Sequence, residues 1–193
     1  MWHTDPIEIL GFVTGALCVW LLARQNIWNW PIGISNNLFF IVVFLRSGLY
    51  GDAGLQVVYI ILAAYGWWTW LRPKEMHAEL AVSRTSLREW MWLIPATAAG
   101  ALLLRLFLAR YTTSTVPAWD GLTTALSLAA TWGQCRKLLE SWWIWIAANL
   151  IYIPLYAYKG LHLTALLNVI FTGLCIMGLR SWSRAMTART ALA

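Results

Sequence analysis

Residues 132–149 read WGQCRKLLESWWIWIAAN, and residues 20–37 read WLLARQNIWNWPIGISNN. Laid over one another, they pair Trp20 with Trp132, Arg24 with Arg136, Trp30 with Trp142 and Asn37 with Asn149. The same shift of 112 residues (132 minus 20) runs on in both directions without a gap, carrying residues 10–72 onto 122–184. Gly48 then meets Gly160, Leu55 meets Leu167, Gly66 meets Gly178, Trp70 meets Trp182 and Arg72 meets Arg184. Conservative pairs fill the gaps: Gln56 with Asn168, Tyr59 with Phe171, Phe40 with Tyr152 and Phe44 with Tyr156. Shared apolar composition would align leucines by chance, but it does not align rare Trp, Asn, Gly and Arg. An internal repeat is therefore the first fact about the fold.

The composition says where the repeat lives. Of the 193 residues, 60% are hydrophobic and 11% charged, against roughly 25% charged in a soluble domain. Mean hydropathy is +0.61. A soluble globular enzyme, a disordered tail and a coiled coil are excluded, which leaves an all-α integral membrane protein. Apolar runs cover about 6–23, 30–45, 52–71, 88–108, 120–135, 141–158 and 163–181, and a spanning helix uses about 20 residues. Seven transmembrane helices are expected. Helix-start signals stand at Asp5-Pro6, at Asn29-Trp30-Pro31 and at Asp120. The N-terminus lacks the basic region of a signal peptide, so the first run reads as a retained helix.

The first three runs match the last three, and the fourth links them. One linking helix keeps both units pointing the same way, which gives a 3+1+3 arrangement of two parallel three-helix repeats about an axis along the membrane normal. The expected divisions are 1–72 for the first repeat, 73–119 for the linker with the fourth helix, 120–184 for the second repeat and 185–193 for a cytoplasmic tail.

Basic residues set the direction. Alternate loops and the C-terminus carry Arg24, Arg72, Lys74, Arg84, Arg88, Arg136, Lys137, Arg180, Arg184 and Arg189, while the other face has Arg46, Arg105, Arg110 and Lys159. By the positive-inside rule the N-terminus is external and the C-terminus cytoplasmic. This asymmetry also accounts for the net charge of +6 without nucleic acid as a partner. The lipid bilayer is the expected surrounding, and the sequence is compatible with a homo-oligomer.

A parallel repeat creates a path along its axis, and the sequence suggests what lines it. Trp142, Trp145, Asn149, Tyr152 and Tyr156 recur at spacings of 3, 4, 3 and 4, one face of a helix. The counterpart is Trp30, Gly33, Asn37, Phe40 and Phe44. An aromatic stripe alone is commonly packing or an interfacial belt. An asparagine within each stripe calls for a polar partner or a cavity. Gln56 and Tyr59 share a face of the third run with Gly66 and Trp70. Asn168, Phe171, Gly178 and Trp182 are their counterparts. Trp70 and Trp182 fall near run ends and read as interface anchors. Thr124, Ser127, Thr131 and Gln134 recur in the fifth run, where small polar residues serve helix packing and Gln134 is the candidate ligand contact. The candidate substrate-binding set is Trp142, Trp145, Asn149, Gln56, Gln134, Asn37, Tyr59 and Tyr152.

What is missing narrows the chemistry. Asp5, Glu8, Asp52, Asp120 and Glu140 lie near run ends, and His3, His77 and His162 lie in terminal or loop regions. With no central carboxylate or histidine there is no proton relay. No nucleotide-binding loop is present, and Cys18, Cys135 and Cys175 form no metal or disulfide pattern. No cofactor, no metal and no catalytic group are expected, so the chain is not read as an enzyme. A neutral cavity of Trp, Tyr, Asn and Gln suits a flat aromatic ligand or a delocalised cation. A phosphorylated ligand would need Arg, Lys or a helix N-terminus aimed at it, and the spans offer no central basic residue.

The motif Trp142-x-x-Trp145-x-x-x-Asn149 resembles the WxxWxxxN element of the bacterial Pnu vitamin transporters. So do Trp28-Asn-Trp-Pro-Ile-Gly, Leu49-Tyr-Gly-Asp-Ala-Gly-Leu-Gln56 and Tyr65-Gly-Trp-Trp-Thr-Trp70. The resemblance covers nearly the whole chain and is strongest to the PnuC branch, which carries nicotinamide riboside. It implies a SWEET-like fold and uptake of a dephosphorylated vitamin by facilitated diffusion, with trapping by a cytoplasmic kinase. It places Trp142, Trp145 and Asn149 in the substrate site, with Gln56 and Gln134 beside them. Thiamine or riboflavin transport on the same fold is the alternative implied. Truncating Trp142 or Asn149 to Ala is expected to weaken binding about tenfold without unfolding. Changing Lys74, in a long third loop read as a solvated linker, is expected to leave binding intact. Gly48, Gly160, Pro31 and Pro154 are candidate bending points.

Overall fold

The structure is a computed structural model, and it describes residues 6–46, 50–72, 80–112, 115–158 and 162–191. Within them are seven helices: α1 (Pro6–Ala23), α2 (Asn29–Arg46), α3 (Tyr50–Leu71), α4 (Leu87–Tyr111), α5 (Pro117–Cys135), α6 (Ser141–Tyr158) and α7 (His162–Thr190). Asp5, His3, His77, Gly48, Gly160, Lys74 and Lys159 lie outside the described residues.

Helix starts and stops follow local chemistry. At α4, Ser86 accepts from the Glu89 backbone N–H while the Glu89 carboxylate accepts from the Ser86 N–H, a reciprocal cap. Helix α5 begins at Pro117, three residues before Asp120, because proline in the first turn forfeits no intrahelical bond. Helix α7 runs on to Thr190, so residues 185–190 of the expected tail are helical. The apolar run ends near 181, but the polar residues after it are adequate helix formers and need no lipid.

The packing forms a closed ring. Contacts run α1 to α2, α2 to α3, α3 to α5, α5 to α6, α6 to α7 and α7 back to α1, and α4 packs on α5 alone. Among the described residues no helix of the ring packs across it. The centre is therefore free of backbone.

The ring keeps the 112-residue period in its details. The turns after α1 and α5 are closed by Gln25 at φ 55° and Lys137 at φ 53°, left-handed positions that side chains other than glycine seldom adopt. The Asn29 Nδ2 donates to Asn26 O, and the Ser141 Oγ–H donates to Leu138 O, both at 2.7 Å. The rim of the Trp30 indole lies on Gly66, and the rim of Trp142 lies on Gly178, where an added Cβ would overlap the ring. Only glycine permits that approach. At Gly121 the same is true of backbone: a Cβ would stand 2.8 Å from Arg105 N and 2.9 Å from Ala101 O, so α4 and α5 pack in direct contact.

Two expectations are corrected here. Trp70 and Trp182 are not interface anchors. Trp182 is fully buried, and Trp70 packs against it with ring centroids 6.3 Å apart. Both belong to the inside of the ring because their indole N–H groups find carbonyls on the neighbouring helices. Nor is the described part of the third loop a solvated linker. Val82 is buried, Ser83 bridges to Leu138 and Thr85 donates twice to Glu140 Oε2, each at 2.8 Å.

Helices α3 and α4 and residues Thr164–Arg189 of α7 are long and apolar enough to cross a membrane by composition. Helices α1, α2, α5 and α6 have 18, 18, 19 and 18 residues. At 1.5 Å per residue each is about 27 Å long, close to the hydrocarbon thickness. Of the polar residues that lower the hydropathy of α2 and α5, Asn29, Asn36, Asn37, Ser127, Thr131 and Gln134 line the centre, whereas Ser35 is exposed.

Candidate functional site

The backbone-free centre holds a cavity of about 460 Å³. Four helices contribute most of its wall: α2 brings Trp30, Gly33, Asn37 and Phe40, α3 brings Gln56 and Tyr59, α5 brings Ser127, Thr131 and Gln134, and α6 brings Trp142, Trp145, Asn149, Tyr152 and Tyr156. Asn168, Phe171 and Cys175 of α7 complete it, with Gly15 and Cys18 of α1.

All eight candidate residues named from the sequence line this one cavity: Trp142, Trp145, Asn149, Gln56, Gln134, Asn37, Tyr59 and Tyr152. The whole aromatic stripe of α6 does so. Trp143, one step off it, is 59% exposed on the outer surface. Of the matching stripe on α2, Phe44 alone is absent from the wall. It stacks on Phe40 with centroids 5.7 Å apart, as Tyr152 stacks on Tyr156 at 5.4 Å. Thr124 does not reach the cavity either.

The amides differ in how they are held. Asn149 is buried, and among the described residues its Nδ2 has the Cys175 sulfur as sole acceptor, at 3.7 Å, a weak bond. The side chains of Asn37, Gln56 and Gln134 make no hydrogen bond among the described residues. Asn168 donates to Thr164 O of its own helix at 2.7 Å. The hydroxyls of Ser127 and Thr131 donate back to the carbonyls four residues earlier, both at 2.8 Å, so they line the wall already satisfied. Uncommitted amides and ring faces are the wall's recognition chemistry.

Two asparagines were missed. Asn29 lines the wall one turn before Gly33, a spacing that the α2 stripe already implied. Asn36 lies beside Asn37 and lines the wall while donating to Thr14 Oγ1 and to Gly11 O of α1. Its signal is weaker, because its neighbour alone fits the spacing.

Among the described residues the wall contains no Asp, Glu, His, Lys or Arg. Among the described residues no group of three His, Cys, Asp or Glu could hold a metal ion. The nearest buried cation is Lys137, whose Nζ donates to Gln25 Oε1 at 3.1 Å and sits 4.3 Å above the Trp70 ring. A second hollow of about 490 Å³ lies between α1 and α2, walled by Leu10, Leu17, Trp28 and Phe39 among others. Its wall is apolar and faces outward, and it carries none of the eight candidates.

A family model described as nicotinamide mononucleotide transporter matches residues 5–184. The riboflavin/roseoflavin transporter RibM of Streptomyces davaonensis is 27% identical over 186 residues, covering 93% of this chain and 85% of that protein. The nicotinamide riboside transporter PnuC of Escherichia coli is 26% identical over 208 aligned residues, covering 95% and 87%. The crystal structure of the vitamin B3 transporter PnuC superposes with a TM-score of 0.71 at 24% identity, over 92% of this chain and 80% of that one. That likeness speaks to the fold.

Proposed function

Because the chain belongs to the nicotinamide mononucleotide transporter family, we propose that it carries a dephosphorylated aromatic vitamin, nicotinamide riboside first, across the bacterial inner membrane by facilitated diffusion. Seven spans run in a 3+1+3 order, two parallel three-helix repeats enclose the path, and the C-terminus is cytoplasmic. The observation that carries this reading is the cavity wall: ring faces and uncommitted amides, with no formally charged side chain among the described residues. Ring faces hold a flat aromatic or a delocalised cation at about 0.5–2 kcal/mol per contact. The amides meet hydroxyls and a carboxamide.

The same wall favours the riboside over the nucleotide named by the family description. A phosphate needs basic groups or a helix N-terminus aimed at it, and neither stands in the wall. Lys137 lies outside the wall and is engaged with Gln25 and Trp70. Carriage without a coupling ion runs only down the solute's own electrochemical gradient, and a phosphorylating reaction in the cytoplasm would hold the vitamin inside. A second reading, riboflavin carriage, is favoured by the relative RibM, which matches as broadly as PnuC does.

Titration of the purified protein with nicotinamide riboside, riboflavin and thiamine, read from its 15 tryptophans, decides between them. Micromolar quenching by nicotinamide riboside alone is the expected result. A response to riboflavin alone moves the substrate to the second reading, a response to thiamine alone overturns both, and silence to all three removes the transport proposal.

A further inference from the structure

Four tryptophans form an unbroken chain of rings at one end of the cavity. Trp30 meets Trp70 edge to face at 5.3 Å, Trp70 meets Trp182 at 6.3 Å, and Trp182 meets Trp142 edge to face at 5.3 Å. Trp30 and Trp142 line the cavity, while Trp70 and Trp182 lie beyond them. The end they close is that of the turns 24–28 and 136–140.

The two middle rings are fastened between helices. Trp70 Nε1–H donates to Gln134 O of α5 at 3.3 Å, and Trp182 Nε1–H donates to Leu22 O of α1 at 3.1 Å. Trp70 and Trp182 are 112 residues apart, as are Leu22 and Gln134 (134 minus 22), so one bond is made twice. Each stands at a seam where the last helix of one sequence repeat meets the first helix of the other. The two outer rings are the reverse case. Trp30 Nε1 and Trp142 Nε1 are buried and bond to nothing among the described residues, as with Trp145 Nε1 in the cavity wall outside the chain of rings; the rims of Trp30 and Trp142, in addition, are pressed onto Gly66 and Gly178. Buried donors are nearly always paired, and an orphan weighs against the state that buries it.

The closed chain of rings is therefore held by two bonds and opposed by two orphan donors. Such opposition suits a seal that must both close and part, with the second state kept within reach. Direct donation from Trp30 or Trp142 to a bound ligand does not fit, since both nitrogens are covered in this state. We propose that Trp30, Trp70, Trp182 and Trp142 are the gate at this end of the path, and that it opens by parting α3 from α5 and α7 from α1. The inference rests on reading the cavity as a transport path.

The test uses ring-retaining substitutions and needs no vitamin. Trp70→Phe and Trp182→Phe remove a fastening bond. Trp30→Phe and Trp142→Phe remove an orphan donor. All four lose the same volume, so the comparison between pairs isolates the N–H. Cys18 and Cys175 line the cavity and serve as native reporters. Their alkylation by a membrane-impermeant maleimide is followed by peptide mass spectrometry in right-side-out and inside-out vesicles. From the face of the turns, labelling is expected to be about tenfold faster in W70F and W182F than in W30F and W142F. Rates equal within about twofold, or the reverse order, overturn the gate. Should one variant fail to insert, its counterpart 112 residues away carries the same comparison. Split rates without vitamin carriage would sink the transport reading and leave the moving seal. Carriage with equal rates would do the opposite.

Discussion

Asn149 is buried in a wall of rings, with a sulfur as its sole acceptor among the described residues. A ligand hydroxyl or carbonyl is a better partner than a thiol, so Asn149→Ala is expected to raise Kd about tenfold, roughly 1.4 kcal/mol, with the melting midpoint little changed. Trp142 behaves differently from the sequence expectation. It is fully buried between Gly178 and Trp182, and Trp→Ala in such a place costs about 3–5 kcal/mol. Loss of binding in W142A is then expected with loss of fold, visible in size exclusion and thermal unfolding. Trp145→Ala, at a half-buried position, is the cleaner probe of the ring face. The stripe of α6 was legible because side chains three and four apart must share a face. The seat of Trp142 on Gly178 was not. Both residues stood out in the repeat, but sequence spacing cannot say which glycine meets which ring.

At the level of elements, the six runs other than the last were readable to within a few residues, since the switch from apolar to charged residues marks where lipid ends. The end of α7 was missed because hydropathy measures lipid contact, not helicity. The docking of residues 80–86 was missed because it rests on backbone pairing and on one carboxylate, Glu140, reached from Thr85. Nothing periodic announces such a contact. Of the polar features here, the cap of α4 matters more than the ion pair beside it. Arg136 and Glu89 approach to 3.2 Å, but the arginine side chain is 43% exposed, and water screens such pairs to about 0–1 kcal/mol. Ser86→Ala removes a cap worth about 1 kcal/mol. It is expected to lower the unfolding midpoint more than Arg136→Ala does, in parallel thermal scans.

For the whole molecule, an all-helical chain of seven helices was legible in outline and the ring was not. Aligned tryptophans reveal that two units exist, yet they cannot tell whether the third helix of each unit closes on its own first helix or on the other unit's. The answer is the other unit's, through α3 with α5 and α7 with α1. Charge is also a property at this scale. Among the described residues no carboxylate, imidazole or amine lines the cavity. Counterflow in proteoliposomes is therefore expected to be flat from about pH 6 to 8 and unchanged when the proton gradient is collapsed. Exchange that stops with the gradient would mean that a coupling group has been overlooked.

The closure of each half by its opposite number also bears on how the protein comes to exist. Before residues 117–190 are added, α1 lacks its neighbour α7 and α3 lacks its neighbour α5. Among the described residues α5 is the one helix against which α4 packs, so the ring closes without α4. Neither half of the chain can shut the circle by itself.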